Sequence, residues 1–77
     1  MRAADAIMLT EVRDSCLDGS ARLARERAHL TQREVAGVCG VSARAISLWE
    51  TGQRTPTGPP ALEYGKLLRQ LARRAAA

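Results

Sequence analysis

Apolar residues recur three and four positions apart along most of the chain, a spacing typical of amphipathic helices. Gly, Pro and short polar runs separate the segments that show this spacing. The pattern predicts five helices, at about residues 4–17, 21–28, 31–39, 42–51 and 59–75. Frequent Ala, Leu and Arg and few β-branched residues also favour helix over sheet. The sequence therefore predicts a small all-α domain of about five helices.

The first predicted helix precedes the others as an acidic extension. Its apolar residues lie at mostly helical spacing, and they are Ile7, Met8, Val12, Cys16 and Leu17. The run Asp18-Gly19-Ser20 ends this helix, and Ser20 is expected to cap the next one. We divide the chain into an N-terminal helical extension, residues 1–19, and a second part, residues 20–77, and expect both to form one compact domain.

Two short helices joined by a glycine-containing turn form the centre of the second part. Thr31 and Glu34 have the spacing of a capping box that opens the first of these helices. Gly40 supplies a left-handed residue that ends it, and Ser42 caps the second helix. Two short helices joined by three or four residues that include Gly are the helix-turn-helix pattern.

The second helix of this pair has two different faces. One face is suited to a hydrophobic core and carries Ser42, Ala45, Ile46 and Trp49. The other face is spaced i, i+3, i+4, i+7 and carries Arg44, Ser47, Leu48 and Thr51. The second face is therefore a candidate contact surface.

The charge of the chain favours a polyanionic partner, since the net charge is +4 and the pI is near 10.0. Residues 1–20 carry two basic and four acidic side chains, a net charge of −2. Residues 21–77 carry ten basic and four acidic side chains, a net charge of +6. The positive charge thus lies on the part that contains the two-helix pattern. A solvated, arginine-rich helical surface is the alternative interpretation of the charge alone.

Several classes of protein are disfavoured. No stretch approaches the roughly 18–20 apolar residues that span a bilayer, and no signal-peptide core is evident, so we expect a cytoplasmic protein. Cys16 and Cys39 are expected to be reduced apolar fillers, and with His29 alone they cannot build an ordinary structural zinc site. No glycine-rich phosphate loop or nucleophile–base pair is evident, so we expect no metal, cofactor, small-molecule ligand or enzymatic activity.

Four motifs, in consistent order and spacing, resemble the Cro/repressor-type (Xre-type) helix-turn-helix family. They are LTQREVA at residues 30–36, GVS at 40–42, ISLWE at 46–50 and GQRTP at 52–56. The resemblance covers about residues 20–72 and implies a lambda-repressor-like helical fold that binds DNA. The chain departs from the family at His29, which replaces a common Gly, at Val35, which replaces a common Leu, and in lacking a further helix after residue 75. The N-terminal helix is expected to fill that place in the core.

The resemblance also implies structural roles for individual residues. Arg25 corresponds to a family arginine that pairs with a glutamate, which is Glu50 in this chain. This ion pair would tie the predicted helix at residues 21–28 to the end of the predicted helix at residues 42–51. Ala36 corresponds to the small residue that lets the two motif helices cross closely. Gly40, which ends the first motif helix, and Trp49, on the core face of the second, complete the expected structural set.

The residues expected at the DNA form two groups. The resemblance presents Ala43, Arg44, Ser47 and Leu48 to bases in the major groove. It places Gln32 on a phosphate and sometimes on a base, and Gln53 and Arg54 on phosphates. We add Arg33 to the expected phosphate contacts because of its charge, and Thr51 because it lies on the exposed face. Arg44 either binds guanine O6 and N7 together or clamps a phosphate. Leu48 is either a contact for a thymine methyl or a packing residue, and Arg33 and Arg54 are either phosphate contacts or simply solvated.

Together these observations predict a sequence-specific transcriptional regulator, a small repressor of the Cro kind from a phage or mobile element. Its partner would be double-stranded DNA with a palindromic operator, bound by a homodimer. The broad apolar face of the last helix, residues 61–72, indicates a dimer interface. Two alternatives remain. One is an antitoxin that binds a toxin through its N-terminal helix and regulates its own operon, and the other is a DNA-architectural or excision accessory factor.

Overall fold

The computed structural model describes all 77 residues. It contains five α-helices and no strand. The helices are α1 (Ala3–Asp18), α2 (Ser20–Arg27), α3 (Gln32–Cys39), α4 (Ala43–Glu50) and α5 (Gly58–Ala76). Every predicted helix is present, and each end lies within one residue of its predicted position. The structure therefore confirms the all-α class.

Hydrogen bonds from side chains to the backbone fix the two central helices as the sequence predicts. Thr31 Oγ1 accepts from the backbone N–H of Glu34 at 3.0 Å, and Glu34 Oε1 accepts from that of Thr31 at 2.9 Å. Gly40 ends α3 with a φ of 75°, and Ser42 Oγ accepts from the N–H of Ala45 at 3.1 Å. These contacts confirm the predicted caps on both sides of the turn between α3 and α4.

The junction between α1 and α2 differs from the prediction that Ser20 caps α2. Gly19, with a φ of 85°, is the only residue between the two helices. Ser20 is therefore already helical, and the N-cap position of α2 falls on Gly19, which has no side chain. The carboxylate of Asp18 instead accepts from the N–H of Ser20 at 2.8 Å, and this bonding lowers the pKa of Asp18. The acceptor at this helix start therefore comes from the preceding helix.

The hydrophobic core contains residues from all five helices. Its twelve buried apolar members are Met8, Leu9, Val12, Cys16, Ala21, Val35, Ala36, Cys39, Ile46, Trp49, Ala61 and Tyr64. The rings of Trp49 and Tyr64 stack at the centre, with ring centroids 5.7 Å apart. Four of the twelve belong to α1, so the N-terminal helix is a structural part of the core.

The buried residues of α1 are not all those that the spacing of its apolar residues predicts. Ile7 and Leu17 are 59% and 75% exposed, whereas Leu9 is buried. The buried face thus follows Met8, Val12 and Cys16, which lie one helical turn apart. Ile7 and Leu17 lie outside this face. Packing against α5 sets this rotation of α1, and periodicity alone does not specify it.

Gly65 allows α1 and α5 to approach each other closely. A Cβ atom built on Gly65 would lie 2.5 Å from Met8 Cγ and 2.9 Å from Val12 Cγ2. Leu67 and Leu68, which broaden the apolar face of α5, also pack against the core. Contacts within the chain therefore account for much of the apolar breadth that indicated a dimer interface.

Substitution of Gly65 by Ala is expected to lower the free energy of unfolding. The added methyl must displace the side chains of Met8 and Val12, and over-packing of this kind costs about 1–3 kcal/mol. Ala regains only about 1 kcal/mol through its higher helix propensity. Urea unfolding followed by circular dichroism measures the difference.

The matched control is Gly37→Ala, the same change in α3, where nothing lies within 4 Å of an added Cβ. It is expected to raise the free energy of unfolding by up to about 1 kcal/mol. Equal stabilisation by both substitutions would contradict the close packing of α1 on α5.

Candidate nucleic-acid interface

The outer face of α4 presents the residues that the sequence predicts for base contacts. Arg44 is exposed, and Ser47 and Leu48 are half-buried one helical turn further along. Ile46 and Trp49 lie on the opposite face and are buried. The structure thus separates a core face from an outward face on one short helix.

Ala43 is placed differently from the other three predicted base contacts. It is half-buried, and its side chain packs against the hydrophobic core. Its methyl group therefore contributes to anchoring the first turn of α4. The outward surface of the helix is formed chiefly by Arg44, Ser47 and Leu48.

The loop that follows α4 folds back on the end of the helix. The backbone carbonyl of Leu48 accepts from the N–H groups of Gln53 at 2.9 Å and Arg54 at 3.2 Å. Gly52, with a φ of 74°, makes the reversal possible. The side chains of Gln53 and Arg54 are left exposed beside the outward face of α4.

Thr51, a predicted phosphate contact, bonds to the end of its own helix in the chain without DNA. Its hydroxyl donates to the carbonyls of Ser47 at 3.0 Å and Leu48 at 3.3 Å, and its backbone N–H also donates to Ser47. A phosphate oxygen accepts hydrogen bonds, and a threonine hydroxyl has only one hydrogen to give. In this structure Thr51 therefore closes the end of α4 and has no free donor.

A partly buried network joins α2, α3 and α4. Arg25 Nε donates to Glu50 Oε2 at 2.6 Å, and Arg25 Nη2 donates to Glu50 Oε1 at 3.1 Å. Arg25 Nη1 also donates to the carbonyl of Leu30 at 3.0 Å. The side chains of Glu50 and Arg25 are only 2% and 12% exposed. The ion pair implied by the family resemblance is thus present, and it holds the end of α4 against α2.

Gln32 extends this network, which the sequence did not indicate. Its Nε2 donates to Glu50 Oε1 at 3.0 Å, so one of its two amide hydrogens is already used. The remaining amide N–H is available beside the start of α3. Burial alone would raise the pKa of Glu50, but the hydrogen bonds from Arg25 and Gln32 outweigh it and lower that pKa.

Three arginines of this region carry charge that no carboxylate neutralises. Arg33, Arg44 and Arg54 are exposed, and none takes part in the four ion pairs of the chain. The only two carboxylates between residues 31 and 57 belong to Glu34, which bonds to Thr31, and Glu50. The outward face of α4 and its surroundings therefore present uncompensated positive charge.

Ala36 and His29 both lie next to turns between helices. Ala36 of α3 is buried in the core. Its backbone carbonyl accepts from the N–H groups of Gly40 at 2.9 Å and Val41 at 3.1 Å. His29, which replaces the usual family Gly, adopts a φ of 58°. Histidine thus takes the left-handed conformation that ends the connection after α2.

The two cysteines lie in the hydrophobic core. Cys16 and Cys39 are free and buried, and burial raises the pKa of each thiol to about 11. No group of three His, Cys, Asp or Glu side chains is arranged to hold a metal ion. None of the five helices combines the length and the apolar character that crossing a membrane requires.

Sequence reasoning missed one contact beside the loop. Arg13 of α1 donates from Nε to the carbonyl of Pro56 at 3.0 Å, and Pro56 is buried. The two residues are 43 positions apart, so no local pattern links them. This bond ties the N-terminal helix to the segment that carries Gln53 and Arg54.

One of three comparisons with known proteins finds a match. A family model described as "Helix-turn-helix" matches residues 22–73, which contain α3, α4 and the loop between α4 and α5. Neither the search of curated proteins nor that of solved structures finds a match.

Proposed function

Since this chain belongs to the Cro/repressor-type (Xre-type) helix-turn-helix family of DNA-binding transcriptional regulators, we propose that it is a small sequence-specific repressor of the Cro kind. In this proposal α4 enters the major groove of double-stranded DNA. The observation that carries it is the outward face of α4, where Arg44, Ser47 and Leu48 lie together beside arginines that have no carboxylate partner. An origin in a phage or mobile element is part of the same proposal.

Arg44 is the proposed base-reading residue. Its guanidinium is exposed on the first turn of α4, and a planar fork of donors matches guanine O6 and N7 in the major groove. Ser47 can donate to or accept from a neighbouring base, and Leu48 offers apolar contact to a thymine methyl. Ala43 supports the start of the helix and adds at most a small apolar contact.

Phosphate contacts are proposed on both sides of α4. Arg33 and the free amide N–H of Gln32 stand at the start of α3, and Gln53 and Arg54 stand in the loop after α4. Such contacts orient a protein on the duplex without reading its sequence. Thr51 contributes through the geometry of the helix end.

A homodimer on a palindromic operator is the proposed binding form. One short helix reads only a few base pairs, and two copies across a dyad double the sequence that is read. Two α4 helices would then occupy successive major grooves about 34–36 Å apart.

Selection from a library of random duplexes tests this proposal. The wild-type chain is expected to enrich one motif with dyad symmetry, and a hydroxyl-radical footprint on that motif should protect two half-sites about one helical turn apart. Enrichment of a single undivided half-site would contradict the dimer. Retained binding without enrichment of any motif would contradict sequence-specific repression.

An antitoxin role is a second candidate that one observation favours. The acidic extension, residues 1–20 with a net charge of −2, leaves Ile7 and Leu17 exposed on α1. An acidic helix with exposed apolar residues could bind a basic protein while α4 binds the operon. Co-purification of the chain with the product of an adjacent gene would support this role. A chain that purifies alone and binds its operator with full affinity would contradict it.

A further inference from the structure

A narrow cleft separates α1 from the loop that follows α4. Its volume is about 40 Å³, and its lining includes Arg13 and Leu17 of α1 with Gly52, Arg54, Thr55 and Pro56 of the loop. The cleft therefore lies between the N-terminal helix, all of which precedes the family match at residues 22–73, and the proposed phosphate-contacting loop.

Arg13 is held in this cleft with part of its guanidinium unused. Its Nε donates to the carbonyl of Pro56 at 3.0 Å, which fixes the plane of the group. Its two terminal NH₂ groups make no hydrogen bond within the chain, and the side chain takes part in none of the four ion pairs. Up to four N–H donors on a half-buried, anchored arginine are thus available to a ligand.

Arg54 brings a second unpaired guanidinium to the same cleft. Its side chain is exposed and makes no ion pair, while its backbone N–H holds the loop to the carbonyl of Leu48. Two like charges at one cleft repel each other, and an anion between or beside them offsets this repulsion. The hydroxyl of Thr55, which makes no hydrogen bond in this structure, is a third donor at the cleft.

We propose that Arg13 is a DNA-phosphate ligand that acts together with Arg54, so that α1 extends the phosphate-binding surface of the helix-turn-helix. This inference rests on the proposed function, because the cleft adjoins the end of α4. A phosphate oxygen accepts charge-assisted hydrogen bonds from an arginine fork, and the bond to Pro56 pre-orients that fork. The anion is a backbone phosphate beside the groove that α4 occupies.

The salt dependence of DNA binding tests this assignment. For each phosphate that a protein neutralises, the slope of log K against log salt steepens by about 0.9. Arg13→Ala is expected to flatten the slope by about 0.9 and to weaken binding equally to the selected duplex and to a scrambled one. Arg13→Lys keeps the charge and is expected to retain a slope close to that of the wild type. Circular dichroism establishes that each variant is folded.

Arg2→Ala is the matched control for loss of charge. Arg2 is exposed at the start of the same helix and makes no ion pair or side-chain capping bond. Its removal is expected to change the slope far less than removal of Arg13. An unchanged slope for Arg13→Ala, even with weaker binding, would overturn the assignment and leave Arg13 as a support of the loop. The wild-type slope in the same experiment tests the proposed function separately, because a chain that binds no DNA shows none.

Discussion

Replacement of Glu50 by Ala is expected to lower the free energy of unfolding by about 3–5 kcal/mol. The substitution removes the carboxylate that receives two hydrogen bonds from Arg25 and one from Gln32. The side chain of Arg25 is 12% exposed, so its charge would remain largely buried without a partner. A domain of 77 residues is only marginally stable, and a loss of this size consumes much of its stability. Urea unfolding followed by circular dichroism measures the loss.

Two control variants separate the buried ion pair from the general loss of a carboxylate. Glu63→Ala breaks the ion pair with Lys66, in which the side chains of Glu63 and Lys66 are 47% and 60% exposed. It is expected to lower the free energy of unfolding by at most about 0.5 kcal/mol. The double variant Arg25→Met/Glu50→Leu replaces both charges by apolar groups and is expected to recover much of the loss. If Glu50→Ala were no more harmful than Glu63→Ala, the network would not hold α2 to α4.

The network also predicts how stability depends on pH. Although burial tends to raise it, the pKa of Glu50 is lowered from its ordinary 4.5 by the hydrogen bonds from Arg25 and Gln32. A carboxylate whose pKa is lower in the folded state adds stability above its unfolded-state pKa and loses it as the pH falls through the folded-state pKa. The wild type is therefore expected to lose more stability than Glu50→Gln when the pH falls from about 7 to about 3. Parallel pH profiles for the two proteins would contradict this contribution.

Replacement of Arg44 by Ala is expected to reduce the preference for the selected duplex over a scrambled one by about 5- to 140-fold. This range corresponds to the roughly 1–3 kcal/mol of discrimination that a bidentate arginine–guanine contact provides. Arg44 is exposed and pairs with no carboxylate, so its removal should leave the fold and the melting temperature nearly unchanged. Fluorescence anisotropy with both duplexes measures the ratio of the two affinities.

Arg33→Ala provides the comparison for this substitution. Arg33 is an exposed arginine at the start of α3, where the proposed role is a phosphate contact. Its removal is expected to weaken binding to both duplexes equally and to flatten the salt slope by about 0.9. The same result for Arg44→Ala would mean that Arg44 clamps a phosphate and that another residue reads the bases.

The features that residue patterns predicted well depend on residues within one helical turn of each other, whereas the ion pair of Arg25 and Glu50, 25 positions apart, was expected only from the family resemblance. The capping box of Thr31 and Glu34 involves positions three apart, and the left-handed Gly40 ends its own helix. The two faces of α4 follow from the helical repeat in the same way. Local chemistry was therefore sufficient to locate the helices and the outward face of α4.

Apart from the expected cap at Ser20, the features that sequence reasoning missed depend on contacts between distant segments. The bond from Gln32 to Glu50 spans 18 positions, and that from Arg13 to Pro56 spans 43. The burial of Leu9 in place of Leu17 follows from the rotation of α1 on α5, where the absence of a side chain at Gly65 admits Met8. Because each of these contacts requires the tertiary fold to be known, no periodic or local pattern could have indicated them.

Binding of the wild-type chain to the DNA upstream of its own gene, and to a scrambled duplex of the same composition, tests the central claim most directly. Fluorescence anisotropy across a salt series measures both affinities. We expect tight binding to the upstream duplex alone, with an affinity that falls steeply as salt increases, since in this proposal α4 reads bases while several arginines neutralise phosphates. Equal, weak binding to both duplexes would contradict a self-regulating, sequence-specific repressor.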